Sequence, residues 1–211
     1  MTRDLLAREL VADGVVHALG LALGGAGALA LVILALVNGN VVAPLAIYAV
    51  GLLAMLGCSA AYNLLRTTPW RAWLRRLDHA AIFAMIAGSY TPFTTLGLDQ
   101  PWSTILTVLV WSVAALGIAL KLWQPHRVET ISVALYLVLG WIGLVALDDI
   151  LSALSAATIA LLGAGGILYS AGVIFHLWRA LPYHNAIWHG FVLVAAILHY
   201  IAVLTVVPLL S

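Results

Sequence analysis

The chain has 211 residues, of which 64% are hydrophobic and only 8% are charged, and its formal net charge is +1. Soluble domains carry about 25% charged residues, so this chain lacks the polar side chains that a water-facing surface needs. The net charge of +1 gives no overall electrostatic signature for nucleic acid, and the single cysteine, Cys58, excludes an internal disulfide. The composition therefore predicts an all-α integral membrane protein.

Apolar runs that can cross the hydrocarbon core, which takes about 20 helical residues, occur seven times along the chain. Short polar turns separate them, such as the NGN turn at residues 38–40 and Asp148-Asp149. We therefore predict one domain over residues 1–211, a seven-transmembrane helix bundle. The predicted spans are residues 14–37, 41–65, 78–98, 102–123, 130–147, 151–178 and 185–210.

The basic residues support this count and orient the bundle. All nine lysines and arginines fall in the N-terminal segment, in the loops after spans two, four and six, or at the end of span four. With seven spans, all these segments lie on one side of the membrane. The opposite loops hold Asp99, Asp148 and Asp149 and no lysine or arginine. Because basic residues are enriched in cytoplasmic loops, we predict a cytoplasmic N-terminus and a C-terminus outside.

Two spans carry polar side chains at four-residue spacing near the predicted cytoplasmic side. Glu9, Asp13 and His17 lie at the start of span one, and Asn185 and His189 begin span seven. Residues four apart share one helix face, and polar groups inside a bilayer usually mark a partner or a function. His189 is the strongest candidate, because it lies inside the apolar run and shares its face with Asn185.

Spans two and three bring further polar residues to the same depth. Ser59 and Asn63 end span two, and Asp78 begins span three. Each also has a structural explanation: Ser59 can bond its own helix, Asn63 can cap a helix, and Asp78 can cap span three or pair with Arg75 or Arg76. If the four spans are neighbours, their polar faces meet in one site just inside the cytoplasmic interface.

Small residues predict close helix contacts in spans one and six. Glycine lets neighbouring transmembrane helices approach closely, because it has no side chain to hold them apart. The glycines concerned are Gly20, Gly24, Gly27, Gly163 and Gly166.

Four segments of the chain resemble the hemolysin III proteins, the bacterial branch of the progestin and adipoQ receptor family. They are the pattern E-x3-D-x3-H-x2-G at residues 9–20, SAAYN at 59–63, LRRLDHAAIFAMIAGSYTPF at 74–93 and NAIWHGFVLVAAILHYIAV at 185–203. The resemblance covers nearly the whole chain. It implies seven spans with a cytoplasmic N-terminus, in a multi-pass protein of the bacterial inner membrane.

The resemblance also implies a site. The family belongs to a wider group of membrane hydrolases, which share a serine, an aspartate and three histidines around a zinc ion on the cytoplasmic side. Ser59 and Asp78 match the serine and the aspartate and are the candidate catalytic residues, and His189 matches the last histidine. Asn63 and Asn185 stand where the other two histidines are expected.

The two asparagines favour a site without a metal. Zinc is bound by cysteine, histidine or carboxylate, and a catalytic zinc keeps three protein ligands plus water. At the positions of the pattern only His189 and Asp78 are good donors, and they are the expected ligands if zinc is present. His17 is a further possible zinc ligand if spans one and seven are in contact. We therefore expect little zinc in the native chain, and restored binding after Asn63→His combined with Asn185→His.

Three functions remain open. The favoured one is a metal-free polar site that binds a lipid or a small polar ligand in membrane homeostasis. The alternatives are a zinc-dependent hydrolase of lipid amides or esters, and a proton-linked switch or transporter that uses His17, Asp13, Asp78 and His189. The expected partners are membrane lipids and not nucleic acid, with a homo-oligomer left open. The candidate ligand-binding residues are Asn63, Asn185, His189 and His17.

Overall fold

Long helices make up nearly all of the described chain. The computed structural model describes residues 3–39, 42–124 and 131–207. Within these ranges there is no strand, and six segments are long and apolar enough to cross a membrane. The prediction of an all-α integral membrane protein is therefore confirmed. The helices are α1 (Arg3–Asn38), α2 (Val42–Leu64), α3 (Arg71–Pro92), α4 (Trp102–Trp123), α5 (Ser132–Trp141), α6 (Leu147–Ala153), α7 (Ala156–Leu177) and α8 (His184–Val206).

The packing order of the helices brings the two ends of the chain together. α2 packs against α1 and α3, α3 packs against α4, and α7 packs against α8. α1 and α8 are also neighbours. The largest buried cluster lies among α1, α2 and α8 and includes Leu31, Leu52 and Val203. The polar faces predicted on spans one, two and seven therefore belong to helices that touch.

α3 is the long helix that does not qualify as an apolar span. Its first turns carry three arginines and Asp78, and it is absent from the six candidate spans. It is nevertheless packed closely into the bundle, because Gly51 of α2 and Gly88 of α3 allow the two backbones to meet. A Cβ atom at Gly88 would lie 3.3 Å from the Ile47 carbonyl oxygen. Six of the seven predicted spans are thus supported, and the third stays a prediction.

Two helices begin earlier than the predicted spans. α1 begins at Arg3 instead of residue 14, and α3 begins at Arg71 instead of residue 78. The predicted spans were placed on the apolar runs, whereas a helix continues through polar residues wherever its polar face packs against a neighbour. Glu9 and Asp13 therefore lie on α1, packed against the start of α8, and do not belong to a tail.

The turn predicted at Asp148-Asp149 is wrong. Both aspartates lie in the first turn of α6, where a carboxylate is stabilised by the positive end of the helix dipole. The chain turns instead at Leu154-Ser155, and the Ser155 hydroxyl accepts a hydrogen bond from the Thr158 N–H to cap α7. The predicted span ends at residues 41, 130 and 210 lie outside the described residues.

Four of the five predicted glycine contacts are confirmed. A Cβ atom at any of the four would lie within 3.4 Å of a side chain from another helix. At Gly163 the prediction is wrong, since no atom lies within 4 Å of a Cβ there. The confirmed positions are Gly20, Gly24, Gly27 and Gly166.

Candidate functional site

Three donor side chains meet where the N-terminal part of α1 contacts the first turns of α8. They are Asp13, His17 and His189, and their ligand atoms all lie within 4.8 Å of one another. Asp13 and His17 share a face because they are one helical turn apart. Both are buried, with 2% and 6% of their surface exposed. We call these three residues the donor group.

The donor group contains two buried atoms that lack a partner. Asp13 Oδ1 accepts a hydrogen bond from His189 Nδ1 at 2.6 Å, while Asp13 Oδ2 lies 3.7 Å from His17 Nε2. The ring centroids of His17 and His189 are 4.4 Å apart. Neither Asp13 Oδ2 nor His17 Nε2 has a hydrogen-bond partner within the described ranges. Buried polar atoms nearly always have partners, so this pair points to a bound ion or water.

The donor group fits a divalent metal such as zinc. Zinc binds histidine nitrogen and carboxylate oxygen at about 2.0–2.2 Å, and two histidines with one carboxylate form a known catalytic ligand set. Donor atoms at that radius around a tetrahedral ion lie about 3.3 Å apart. Asp13 Oδ1 lies 2.6 Å from His189 Nδ1, Asp13 Oδ2 lies 3.7 Å from His17 Nε2, and one ligand atom from each of the three residues lies within 4.8 Å of the others. Small side-chain movements would therefore suffice to enclose an ion.

Ser59, Asn63 and Asp78 come together beside the donor group. The Asn63 amide donates to the Ser59 carbonyl oxygen at 3.0 Å and to its hydroxyl at 3.4 Å. The Ser59 hydroxyl interacts in turn with the Asp78 carboxylate, and His189 lies within electrostatic range of Asp78. Asp78, the second ligand expected if zinc is present, is not a member of the donor group. The candidate catalytic pair is thus adjacent to His189 without sharing its contact to Asp13.

Asn185 lines a cavity of about 200 Å³ together with Asp13, Arg66 and Arg179. Ser59 and Asp78 are not among the residues that line it. Both arginines are exposed. Asn185 and His189 share one helix face, but Asn185 lines the cavity whereas His189 belongs to the donor group.

Glu9 fixes the start of α8 against α1. Its Oε1 atom accepts a hydrogen bond from the Tyr183 N–H at 2.7 Å. Tyr183 has a left-handed backbone with φ 60°, which turns the chain into α8. The Glu9 carboxylate also lies at the positive end of the α8 dipole, where a negative charge is stabilising. This contact sets the register that brings Asp13, one turn further along α1, to His189.

The sequence predicts His17 and His189 as ligand-binding residues, whereas Asp13 is predicted only as part of the polar face of span one and as a member of the proton-relay alternative. The available signal was the spacing E-x3-D-x3-H, which puts Glu9, Asp13 and His17 on one face of α1. That face could be recognised as polar, but the sequence does not reveal which helix covers it.

Comparison with known proteins assigns the chain to a family. The family described as "Haemolysin-III related" matches residues 7–200, which include the whole donor group. The chain is 36% identical to "Hemolysin-3 homolog" of Bacillus subtilis (strain 168) over 188 residues, which are 88% of either chain. It is 34% identical to "Hemolysin-3" of Bacillus cereus over 199 residues, 93% of this chain and 91% of that one. It is 29% identical to "Heptahelical transmembrane protein ADIPOR2" of Oryza sativa subsp. japonica over 185 residues, 76% of this chain and 80% of that one. These matches show that the chain belongs to the haemolysin-III related family.

Proposed function

We propose that the chain is a metal-dependent membrane hydrolase of lipid amides or esters, with Asp13, His17 and His189 as the metal ligands. The observation that carries this proposal is the buried pair of unpartnered atoms, Asp13 Oδ2 and His17 Nε2, beside His189. Zinc is the metal that this ligand set fits best. When bound, zinc polarises a carbonyl group and makes water a stronger acid.

The residues beside the donor group supply the remaining chemistry. Asp78 would accept the proton of the attacking water, which is the role of a general base. Ser59 would keep the Asp78 carboxylate oriented through its hydroxyl. Asn63 would in turn hold the Ser59 hydroxyl, to which it already donates a hydrogen bond. Of the two asparagines at expected histidine positions, Asn63 would position Ser59 and Asn185 would line the cavity. Asp13 and His17 would bind the metal in place of the two missing histidines.

Metal analysis tests the proposal directly. Protein purified without chelator should contain about one zinc per chain, because the donor group offers the three ligands of a catalytic zinc site. The measurement is inductively coupled plasma mass spectrometry on monodisperse protein, with the same detergent buffer as the blank. A content below about 0.2 zinc per chain would contradict the proposal.

A metal-free polar site that binds a lipid or a small polar ligand in membrane homeostasis is the second candidate. It is favoured by the hydrogen bonds from Asn63 to Ser59, which need no metal. The same metal analysis separates the two functions. A metal-free site predicts little zinc in the native chain and restored binding after Asn63→His with Asn185→His, whereas the hydrolase predicts zinc already in the native chain.

We also propose that α3 crosses the membrane, which gives seven spans with a cytoplasmic N-terminus in a bacterial inner membrane. Contacts at the arginine-rich end support this path: Arg71 bonds the Tyr62 carbonyl oxygen and Arg76 bonds the Leu122 carbonyl oxygen. The start of α3 thus lies beside the ends of α2 and α4. A short π-helical segment, Phe93–Gly97, follows α3 directly, and its Gly97 packs against Leu154 in the turn before α7. One relative is itself named as heptahelical.

Single-cysteine labelling tests the path of α3. After Cys58→Ser removes the one native cysteine, Thr67→Cys and Asp99→Cys place exposed thiols before and after α3. With a membrane-impermeant maleimide, we expect labelling of Thr67→Cys only in inside-out vesicles and of Asp99→Cys only in right-side-out vesicles, since basic loops stay cytoplasmic. Labelling of both positions from the same side would show that α3 does not cross.

A further inference from the structure

The cavity of about 200 Å³ borders the donor group, because Asp13 is one of the residues that line it. The first turns of α1 and α8 form part of its wall, and the segments that follow α2 and α7 form the rest. Asp13 therefore belongs to the donor group and also lines the cavity. A molecule that occupies this cavity would lie directly beside the donor group.

Two guanidinium groups contribute to the cavity wall from different segments. Arg66 follows α2 and Arg179 follows α7, and both are exposed. Arg66 Nε donates to the Asn63 carbonyl oxygen at 3.0 Å, which occupies one of its five N–H donors. Neither arginine forms a salt bridge with a residue of the described ranges. Both arginines therefore have N–H donors that can bind a ligand.

The carboxylates of the same wall are already engaged. Glu9 accepts the Tyr183 N–H at 2.7 Å, and Asp13 accepts the His189 ring N–H at 2.6 Å. Without a metal, these two carboxylates balance the charge of the two arginines. With a divalent ion on Asp13, positive charge exceeds negative charge along the wall, and the cavity becomes attractive to an anion.

We propose that this cavity binds the anionic head group of a lipid substrate, a phosphate or a carboxylate, through Arg66 and Arg179. The assignment of this lipid as the substrate rests on the hydrolase function proposed above. Guanidinium groups bind phosphate and carboxylate oxygens in a bidentate manner. Basic pockets at the cytoplasmic ends of transmembrane helices bind lipid head groups.

The size of the cavity agrees with a head group. Its volume of about 200 Å³ is below the roughly 300–1,000 Å³ of pockets that enclose drug-sized ligands. The acyl chains would therefore stay in the bilayer, while the group beside the lipid phosphate reaches Asp13 and the donor group. Metal and head group should also bind cooperatively, because the metal removes the repulsion between Asp13 and the anion.

Binding of matched amphiphiles to the full chain tests this proposal. The probes are dodecyl phosphate, dodecanoate and dodecanol, which share one chain length, together with inorganic phosphate. Affinities are measured by microscale thermophoresis on zinc-loaded and on chelator-treated protein. We expect the two anionic probes to bind more tightly than dodecanol, and dodecyl phosphate to bind more weakly after chelation.

Arginine variants identify the contacts. Arg66→Gln and Arg179→Gln should each weaken dodecyl phosphate binding about 10-fold or more, since each removes a charge-assisted hydrogen bond. Arg8→Gln is the matched control, because Arg8 is an exposed arginine of α1 that does not line the cavity. Dodecanol binding and zinc content should be unchanged in all three variants.

The outcomes separate this proposal from the proposed function. If both cavity variants bind dodecyl phosphate like Arg8→Gln, or if dodecanol binds as tightly as dodecyl phosphate, the head-group site is wrong. Equal affinity for inorganic phosphate and dodecyl phosphate would overturn the lipid assignment. Arginine-dependent binding in a chain without zinc would retain the site and contradict the hydrolase. If the chain contains one zinc and both cavity variants bind dodecyl phosphate as the native chain does, the hydrolase proposal is retained and the head-group site is contradicted.

Discussion

Replacing Asp13 with asparagine should lower the zinc content of the purified chain from about one ion to below about 0.1 per chain. Asn has nearly the shape of Asp but offers only a neutral amide oxygen, which is a poor zinc ligand. The substitution also removes the charge-assisted hydrogen bond from His189 Nδ1 at 2.6 Å. Loss of a group that only orients a metal ligand already weakens affinity about 10–100-fold, and Asp13 is proposed as a ligand itself.

The exposed Asp148 supplies the matched control, since Asp148→Asn makes the same chemical change on α6, where the side chain is exposed. Zinc content in that variant should equal the native value. Folding is checked separately by adding zinc to chelator-treated protein and following thermal unfolding. At a zinc concentration of about 1,000 times Kd, binding stabilises a native protein by about 4 kcal/mol. We expect an upward thermal shift in the native chain and none in Asp13→Asn, and an equal shift in both would refute Asp13 as a ligand.

The sequence could identify the polar faces of this site but not the contacts between them. His17, Ser59 and Asp78 were recognised from helical spacing and from the family pattern. In the structure His17 lies beside His189, Asp78 is within electrostatic range of His189, and Ser59 interacts with Asp78. Asp13 was not predicted as a ligand, because its contact with His189 joins residues 176 positions apart. Helical periodicity reports on neighbours within one or two turns, so the pairing of α1 with α8 had to come from the fold.

Hydropathy located the membrane segments more reliably than the helices. The six apolar segments were found from their composition, because side-chain hydrophobicity distinguishes one helical segment from another in transfer into lipid. The helix ends were not, since Arg3–Asn38 begins in a polar sequence and Asp148 lies in the first turn of a helix instead of in a turn between helices. Hydropathy also fails to identify α3 as an apolar span, because its arginines lower its mean hydropathy. Its glycine face is nevertheless packed against α2.

Glycine contacts were also predicted correctly only in part. The sequence predicted glycine contacts in spans one and six. In span six, Gly163 makes none, since no atom lies within 4 Å of a Cβ atom built there. The backbone-to-backbone contact instead joins Gly51 and Gly88, which no local pattern distinguished. A glycine in a helix is equally compatible with close packing, with open space and with a lipid-facing surface, so only the arrangement of the helices decides its role.

Gly88→Leu should therefore destabilise the bundle strongly. A Cβ atom at this position would lie 3.3 Å from the Ile47 carbonyl oxygen and 3.8 Å from the Cα atoms of Gly51 and Tyr48. These neighbours are backbone atoms, which cannot move aside as a flexible side chain would. Overpacking typically destabilises by about 1–3 kcal/mol and sometimes more, and here α3 as a whole must shift away from α2. That shift would also draw Asp78 away from Ser59, which links the contact to the site.

Gly163→Leu makes the same substitution where there is open space, so it is the matched control. Both variants add the same hydrophobic side chain to a helix of the bundle, and only Gly88→Leu should lower the thermal midpoint and the yield of monodisperse protein. Gly88→Ala should give an intermediate effect, since a single Cβ at 3.3 Å requires the neighbour to yield by only a few tenths of an ångström. If Gly88→Leu is as stable as Gly163→Leu, α3 does not pack against α2 through this face. A graded loss from Ala to Leu at Gly88 alone would show that α3, despite its arginines, is held inside the bundle by backbone contact.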